Sequence, residues 1–427
     1  MNKWESTGQP HILYVNGFPF FVDYFSRSTI LYQLSHKKNR INHILPITSG
    51  PKRVDLVLYQ NGDLYSIPLL SRRGNPDLAH AQHIFSDIRA LTRVSSTLYN
   101  KDLILGFDCY FAMIKGDNEA FRGSIHSFAS LDRMQKAELP LIVCSSYSLG
   151  KKGISILDTD KGLKIWEPRE YSNKFINNFY DIPGTKVKKI TAYTAQRLIS
   201  NYDSELILTD EGLFQLAVRH RKKQPYSHLV GVDPICEGIY NRYNLYPVLL
   251  PGGVDPDDVK DMKPFSAYSN MFLLTNDGEV YSLGKNTYYQ RGTTKKLKPN
   301  RWNRIEYPEP IKQIEVLNWA RHPGLFALSE SGNLYYHGYN ENGFIPEVKK
   351  KQLQTPIIIA EERSSVFAFP EGLLIPDKNG DPDYMELGRY AEGKRNIKVN
   401  MRFFKDVSRV LELNLGLLKK VIDANCV

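Results

Sequence analysis

The chain has 427 residues, room for two or three ordinary domains or for one toroidal repeat fold. With 24% charged and 12% aromatic residues it has enough apolar material for a packed core, which excludes disorder. A formal charge of +10 attracts polyanions, acidic protein faces or membrane headgroups at long range, but spread over this length it does not identify nucleic acid as the partner.

The first residues, 1–10, are polar, with no apolar run that would serve as a signal peptide, and no window approaches 18 consecutive apolar residues. No membrane span is therefore expected. Residues 11–22, HILYVNGFPFFV, open a pattern that recurs down the chain: an apolar run, a polar turn ending in glycine, and a second apolar or aromatic run. The copies are 55–67 (DLVLYQNGDLYSI), 155–166 (SILDTDKGLKIW), 205–217 (ELILTDEGLFQLA), 271–284 (MFLLTNDGEVYSLG) and 325–338 (LFALSESGNLYYHG), with a degenerate one at 365–375 (SVFAFPEGLLI). Each reads as a β-hairpin, because Val, Ile, Leu, Phe and Tyr flank a turn whose glycine tolerates positive φ.

The turn glycines are Gly17, Gly62, Gly162, Gly212, Gly278, Gly332 and Gly372, so the gaps are 45, 100, 50, 66, 54 and 40. The gap of 100 predicts a hidden copy near residues 103–113, LILGFDCYFAM, which has strand character without the turn glycine. A period near 50 residues with alternating, β-branched runs is that of propeller blades, not of helical solenoids. Only two segments read as helix, 79–92 and 403–413, and the second reads equally well as strand.

Two copies carry more than a hairpin. Around the 271–284 copy stand Asp277-Gly278, Val280-Tyr281, Gly284 and then Asn286, Gln290 and Gly292; around the next stand Ser331-Gly332, Leu334-Tyr335, Gly338 and Asn340, with His322 upstream. In these positions the sequence resembles the RCC1-like repeat family, whose repeat ends in V-Y-x-x-G followed by N-x-x-x-Q-x-G. The resemblance covers 260–345 closely and 150–220 in part, while 66–150 match poorly. It implies an all-β fold, a single closed propeller of seven blades over 1–427. Because only ten residues precede the first hairpin, residues 1–25 and 400–427 are expected to share the closing blade.

Candidate chemistry is sparse. No phosphate-cradling loop, nucleophile elbow or H-E-x-x-H is present, and the four cysteines (Cys109, Cys144, Cys236, Cys426) are far apart, as expected of reduced thiols in a cytosolic setting. His80 and His83 would share a helical face, but no third ligand type joins them, so a solvated surface is the better reading. Asp255, Asp257, Asp258 and Asp261 crowd one stretch that lacks the spacing of a calcium loop, and an exposed connection between blades is expected there. No cofactor, metal or small-molecule substrate is expected.

Basic clusters stand at 36–40, 186–189, 219–224, 295–301 and 349–351. Some are expected to share one rim and form a positive annulus, against the plainer reading of solvated loop tips. Most aromatics are expected between blades; Tyr288-Tyr289 is the exception, because it falls in the Asn286–Gly292 loop. The partner-contact candidates are therefore Tyr288, Tyr289, Arg291, Arg221, Lys222 and Lys223, and the structural turn positions are Gly62, Gly162, Gly212, Gly278 and Gly332. The function expected is that of a non-enzymatic scaffold binding protein partners within a larger assembly, cytoplasmic or part of a viral particle. The alternative implied by the resemblance is guanine-nucleotide exchange on a small GTPase, using a wedge held in the long insertions 66–100 or 218–260. Nucleic acid is a weaker partner reading, since a basic N-terminal tail is missing.

Overall fold

The computed structural model describes residues 3–6, 12–15, 18–23, 30–33, 41–49, 52–68, 80–96, 111–123, 131–139, 143–148, 153–171, 174–191, 204–218, 236–237, 243–265, 270–316, 324–340, 345, 348, 352–369, 372–381 and 383–386. Among them there is no α-helix. The described residues form eight small sheets in chain order, each an antiparallel meander. Sheet 1 spans 4–33, sheet 2 spans 41–85, sheet 3 spans 88–138 and sheet 4 spans 143–182. Sheet 5 spans 187–248, sheet 6 spans 259–305, sheet 7 spans 311–360 and sheet 8 spans 367–386. One strand crosses between units: β10 (Ser95–Ser96), beyond the first strand of sheet 3, pairs in parallel with β16 (Gly162–Tyr171) of sheet 4.

A meander of three or four short strands cannot hide both of its faces alone. From sheet 2 onward each sheet leans on the next, and a separate apolar cluster fills each junction up to sheet 8. Leu56, Leu58 and Leu64 of sheet 2 meet Leu91, Phe111 and Met113 of sheet 3. Ala112 and Ile114 meet Leu157 and Trp166 of sheet 4. Ile156 and Ile165 meet Ile207 and Phe214 of sheet 5, and Leu206 and Leu208 meet Met262 and Met271 of sheet 6. Phe272 and Leu274 meet Ile311 and Leu325 of sheet 7, and Phe326 and Tyr336 meet Val366 and Leu373 of sheet 8. Alternation along one strand explains the partition: Met271 and Phe272, neighbours in β24 (Asn270–Thr275), point to opposite junctions, as a period of two requires.

The first strands of sheets 2, 3 and 4, and those of sheets 5, 6 and 7, lie against one another and so line the inner side of the stack. They also share an irregularity. Pairing shifts after the first residue in β5 (Ile41–Ser49), β18 (Val187–Thr191), β23 (Val259–Phe265) and β27 (Ile311–Glu315), between Ile41 and His43, Val187 and Lys189, Val259 and Asp261, and Ile311 and Gln313. A bulge at one repeated place bends each inner strand in the same way.

Hydrogen bonds stitch the hairpin tips along one rim. The Gly62 carbonyl accepts from Ile88 N–H at 2.9 Å, Gly278 from Ile311 at 3.0 Å and Gly332 from Arg363 at 2.9 Å, each across a junction. Within sheets 3, 6 and 7, tip amides donate back to the start of the first strand: Gly116 to Asp87 at 3.0 Å, Asn276 to Asp258 at 2.8 Å and Glu330 to Pro310 at 3.0 Å. All five expected turn glycines, Gly62, Gly162, Gly212, Gly278 and Gly332, have positive φ at hairpin tips.

The hidden copy exists but lies further on than expected. Its strands are β11 (Phe111–Lys115) and β12 (Glu119–Gly123), joined at Gly116, which has φ 59°. The expected helix at 79–92 is instead β8 (Gln82–Phe85) and β9 (Ile88–Arg93), because Asp87 takes a left-handed φ of 63° and breaks the chain direction between them. Residues 1–25 contribute to a meander of their own, and the strands expected at 400–427, like the segment 403–413, lie outside the described residues.

Candidate interaction surface

The connection from β25 (Val280–Leu283) to β26 (Asn303–Ile305) is the longest continuously described loop between two strands of one sheet, and it is locked from within. Asn286 Oδ1 accepts from Arg291 N–H at 3.0 Å while its Nδ2 donates to the Thr293 carbonyl at 2.9 Å. Gln290 Oε1 accepts from Tyr288 N–H at 2.7 Å and its Nε2 donates to Asn270 Oδ1 at 3.3 Å. Asn270 Nδ2 in turn donates to the carbonyls of Leu283 and Lys285. Gly292 has φ 65°, and a Cβ there would stand 2.7 Å from Ile305 Cγ2 and 3.2 Å from His337 Nε2. The N-x-x-x-Q-x-G spacing is therefore a loop-folding device. Sheet 7 repeats its first element: Asn340 accepts from Ile345 N–H at 2.6 Å and donates to the Val348 carbonyl at 2.8 Å.

Arg291 is not a contact residue. It is fully buried, and its guanidinium donates to Ser282 Oγ and to the carbonyls of Ser282, Gly284, Lys298 and Arg301 at 2.5–3.4 Å. Burial lowers its pKa to about 10, so it stays charged at neutral pH. A planar five-donor fork suits this task, because it ties both ends of the loop to the sheet at once. What the clamp presents outward is a row of exposed cations: Lys285, Lys295, Lys296, Lys298 and Arg301. Among the described residues none of the five makes an ion pair, and no acidic residue occurs from 280 to 305. Arg304 differs, being paired with Glu279 at 2.8 Å.

Tyr288 and Tyr289 are half-buried in the same loop. The Tyr288 ring meets Tyr339 of sheet 7 edge-on, with centroids 5.2 Å apart. Tyr289 sits at φ 58°, a conformation a non-glycine residue holds only when its surroundings impose it. Beside the loop, Trp302 Nε1 donates to the Leu249 carbonyl at 2.7 Å. Leu249 is 84% exposed, the largest exposure of a large apolar side chain among the described residues. Arg221, Lys222 and Lys223 lie outside the described residues, and the structure brings no other candidate to this loop.

Of the remaining charged stretches, those described are absorbed by the stack, while the clusters at 36–40, 219–224 and 349–351 lie outside the described residues. Lys189, Asp261, Lys263 and Glu315 run across the inner strands of sheets 5, 6 and 7, with contacts of 2.7, 3.6 and 2.9 Å in that order. Burial lowers the Lys263 ammonium, but Asp261 and Glu315 more than reverse this and hold it above its usual range; burial raises Glu315. The acidic stretch is the exposed connection between sheets 5 and 6, and its Asp257 pairs with Lys188 of sheet 5. No metal-binding group of His, Cys, Asp or Glu occurs among the described residues. The clusters at 186–189 and 295–301 do not share a rim: the Lys186 carbonyl accepts from the tip residue Asp210, whereas 295–301 follow the far end of β25. His83 lies on a strand against Tyr65, 5.1 Å between centroids.

The sequence matches no family model and no curated protein. Solved structures give distant likenesses. Human WBSCR16 is 13% identical over 75% of this chain and 81% of its own, with a TM-score of 0.40. Prp20p from Saccharomyces cerevisiae, reported with its binding properties to Gsp1p and histones, is 12% identical over 76% and 78%, at 0.35. The WD40 domain of SCAP from fission yeast is 12% identical over 76% and 80%, at 0.39. At these scores the fold assignment rests on the sheets and junctions described above.

Proposed function

We propose that the chain is a non-enzymatic, propeller-like scaffold that holds protein partners in a larger assembly, either a virion or a cytoplasmic complex. One observation carries this reading: the sheet 6 loop is held rigid by buried polar contacts, while its outer side bears five cations that make no ion pair among the described residues. Such a surface lacks acid–base partners but is pre-organised, and a pre-organised surface loses little entropy when a partner docks. A closed ring of RCC1-like blades is part of the proposal, with the segment 400–427 completing it.

Exchange on a small GTPase receives no residue among the described ones, and 69–79, 97–100 and 238–242 of the two insertions lie outside them. Of the two insertions that would supply a wedge, 80–96 is largely strand of sheets 2 and 3 and 219–235 lies outside the described residues. The test is gel filtration of native extract with mass identification of what co-elutes. A scaffold elutes well above the 49.0 kDa of the chain; a free monomer in every extract would rule it out.

A further inference from the structure

We propose that the sheet 6 loop is a docking surface for an acidic, amphipathic protein segment, with Lys285, Lys295, Lys296, Lys298 and Arg301 taking its carboxylates and Leu249 its apolar side chains. The inference rests on the scaffold reading and gives its partner a chemistry.

Charge complementarity is the first support. Over residues 280–305 the chain has seven cations and no anion, and among the described residues only Arg304 is compensated by a neighbour. Elsewhere the described lysines of the stack are commonly paired, as Lys164 is with Asp181, Lys188 with Asp257 and Lys263 with Glu315. What is local to this loop is that five such cations crowd together. An exposed row of like charges repels itself, and a flexible loop would relieve this by spreading. This loop cannot spread, because Arg291 holds the carbonyls of Lys298 and Arg301 and Asn286 holds Thr293. The remaining repulsion is relieved when an anionic partner arrives.

Leu249 decides between partner classes. Trp302 follows Arg301 directly, and its indole holds the Leu249 backbone in place while the Leu249 side chain stays in water. A phosphodiester backbone has no group that gains from an exposed aliphatic chain, whereas a peptide alternating Glu with Leu does. Tyr288 and Tyr289, half-buried between the cations and sheet 7, are placed as the amphipathic contacts that protein interfaces favour.

The full chain is titrated with three labelled probes at low and at physiological salt: a peptide of glutamates punctuated by leucines, a leucine-free oligoglutamate of equal length, and a single-stranded oligothymidylate of equal charge. The leucine-bearing peptide should bind tightest and weaken with salt as screening shortens. Lys295→Glu/Lys296→Glu/Lys298→Glu should lower its affinity by about tenfold or more, since three weak attractions become repulsions. The control Arg133→Glu/Lys161→Glu/Lys186→Glu makes the same change in net charge at exposed sites elsewhere and should have a small effect. Leu249→Ser should erase the advantage of the leucine-bearing peptide and leave oligoglutamate binding unchanged. Equal loss in both triple variants, tighter binding of the oligothymidylate, or no binding of either peptide overturns the proposal; unfolding midpoints confirm that the variants are folded. An assembly in native extract together with any of those results would leave the scaffold standing and remove this surface from it.

Discussion

Replacing Gly278 with alanine separates two demands that a hairpin tip places on one residue. The first is conformational: φ is +87°, and a Cβ in the left-handed region is disfavoured by roughly 1–2 kcal/mol. The second is proximity. An added Cβ would stand 2.7 Å from Pro310 Cβ and 2.8 Å from Ile311 N, both at the start of sheet 7. Neither is the free end of a flexible side chain, so the junction itself must open, at about 1–3 kcal/mol for the displacement. The bond from Ile311 N–H to the Gly278 carbonyl lies in the same place, and weakening it adds up to about 1 kcal/mol. Gly278→Ala should therefore destabilise by about 2–6 kcal/mol in all. Gly253→Ala is the matched control: φ is +84°, yet a Cβ added there would meet nothing within 4 Å, so the conformational part alone, about 1–2 kcal/mol, should appear. The assay is urea unfolding followed by tryptophan fluorescence and circular dichroism. Equal losses in the two variants would refute the claim that tips are pressed against the next sheet.

Arg291→Ala should leave four carbonyls without their donor and cost about 3–5 kcal/mol, and limited trypsin digestion should then cut faster at Lys295, Lys296 and Arg301 than in the wild type. His337 provides a pH dependence. Its Nε2–H donates to the Gln290 carbonyl at 3.2 Å, which leaves Nδ1 to accept from Tyr307 Oη–H at 3.3 Å, and burial lowers its pKa from 6.5 to about 4. The unfolded chain takes up the proton first, so stability is full above the ordinary histidine value and falls as pH drops from about 6.5 towards about 4, by up to roughly 3 kcal/mol. His43, lowered to about 3 by burial and by Arg93, extends the loss further into acid. Unfolding midpoints measured across that range should fall, and His337→Gln should flatten the fall; an unchanged slope would contradict the assignment of the buried neutral ring.

Much of the fold is legible in the sequence because a hairpin is a local object. The glycine that ends each polar turn is fixed by its own φ, so Gly62, Gly162, Gly212, Gly278 and Gly332 stand out without any tertiary knowledge. The copy at Gly116 escapes notice because its turn, Gly-Asp-Asn, places the glycine first instead of last. Residues 79–92 read as helix because Ile84, Ile88 and Leu91 happen to fall at helical spacing, while the break comes from an aspartate, Asp87, that shows no sign of its left-handed φ in sequence. Arg291 is the instructive failure. A charged residue in a loop reads as a surface group, and whether its guanidinium faces water or five backbone and hydroxyl acceptors depends on where the chain folds back. The neighbouring Asn286, Gln290 and Gly292 are the only sign in the sequence that this loop folds onto itself. The cations at 295–301 are legible as a cluster, but that they make no ion pair among the described residues depends on which side chains face them across the junction, which only the assembled sheets reveal.

The claim beneath all of this is that sheets 2 to 8 stand as one stack, with the tips at Gly62, Gly278 and Gly332 bonded to the next sheet, and native-state hydrogen exchange read by mass spectrometry tests it most directly. The amides of Ile88, Gly116, Asn276, Ile311, Glu330 and Arg363 all sit in rim bonds. Peptides containing them should exchange through one shared opening whose free energy falls in parallel as denaturant is added. Separate openings, with sheets 2 and 3 exchanging independently of sheets 6 and 7, would contradict the account.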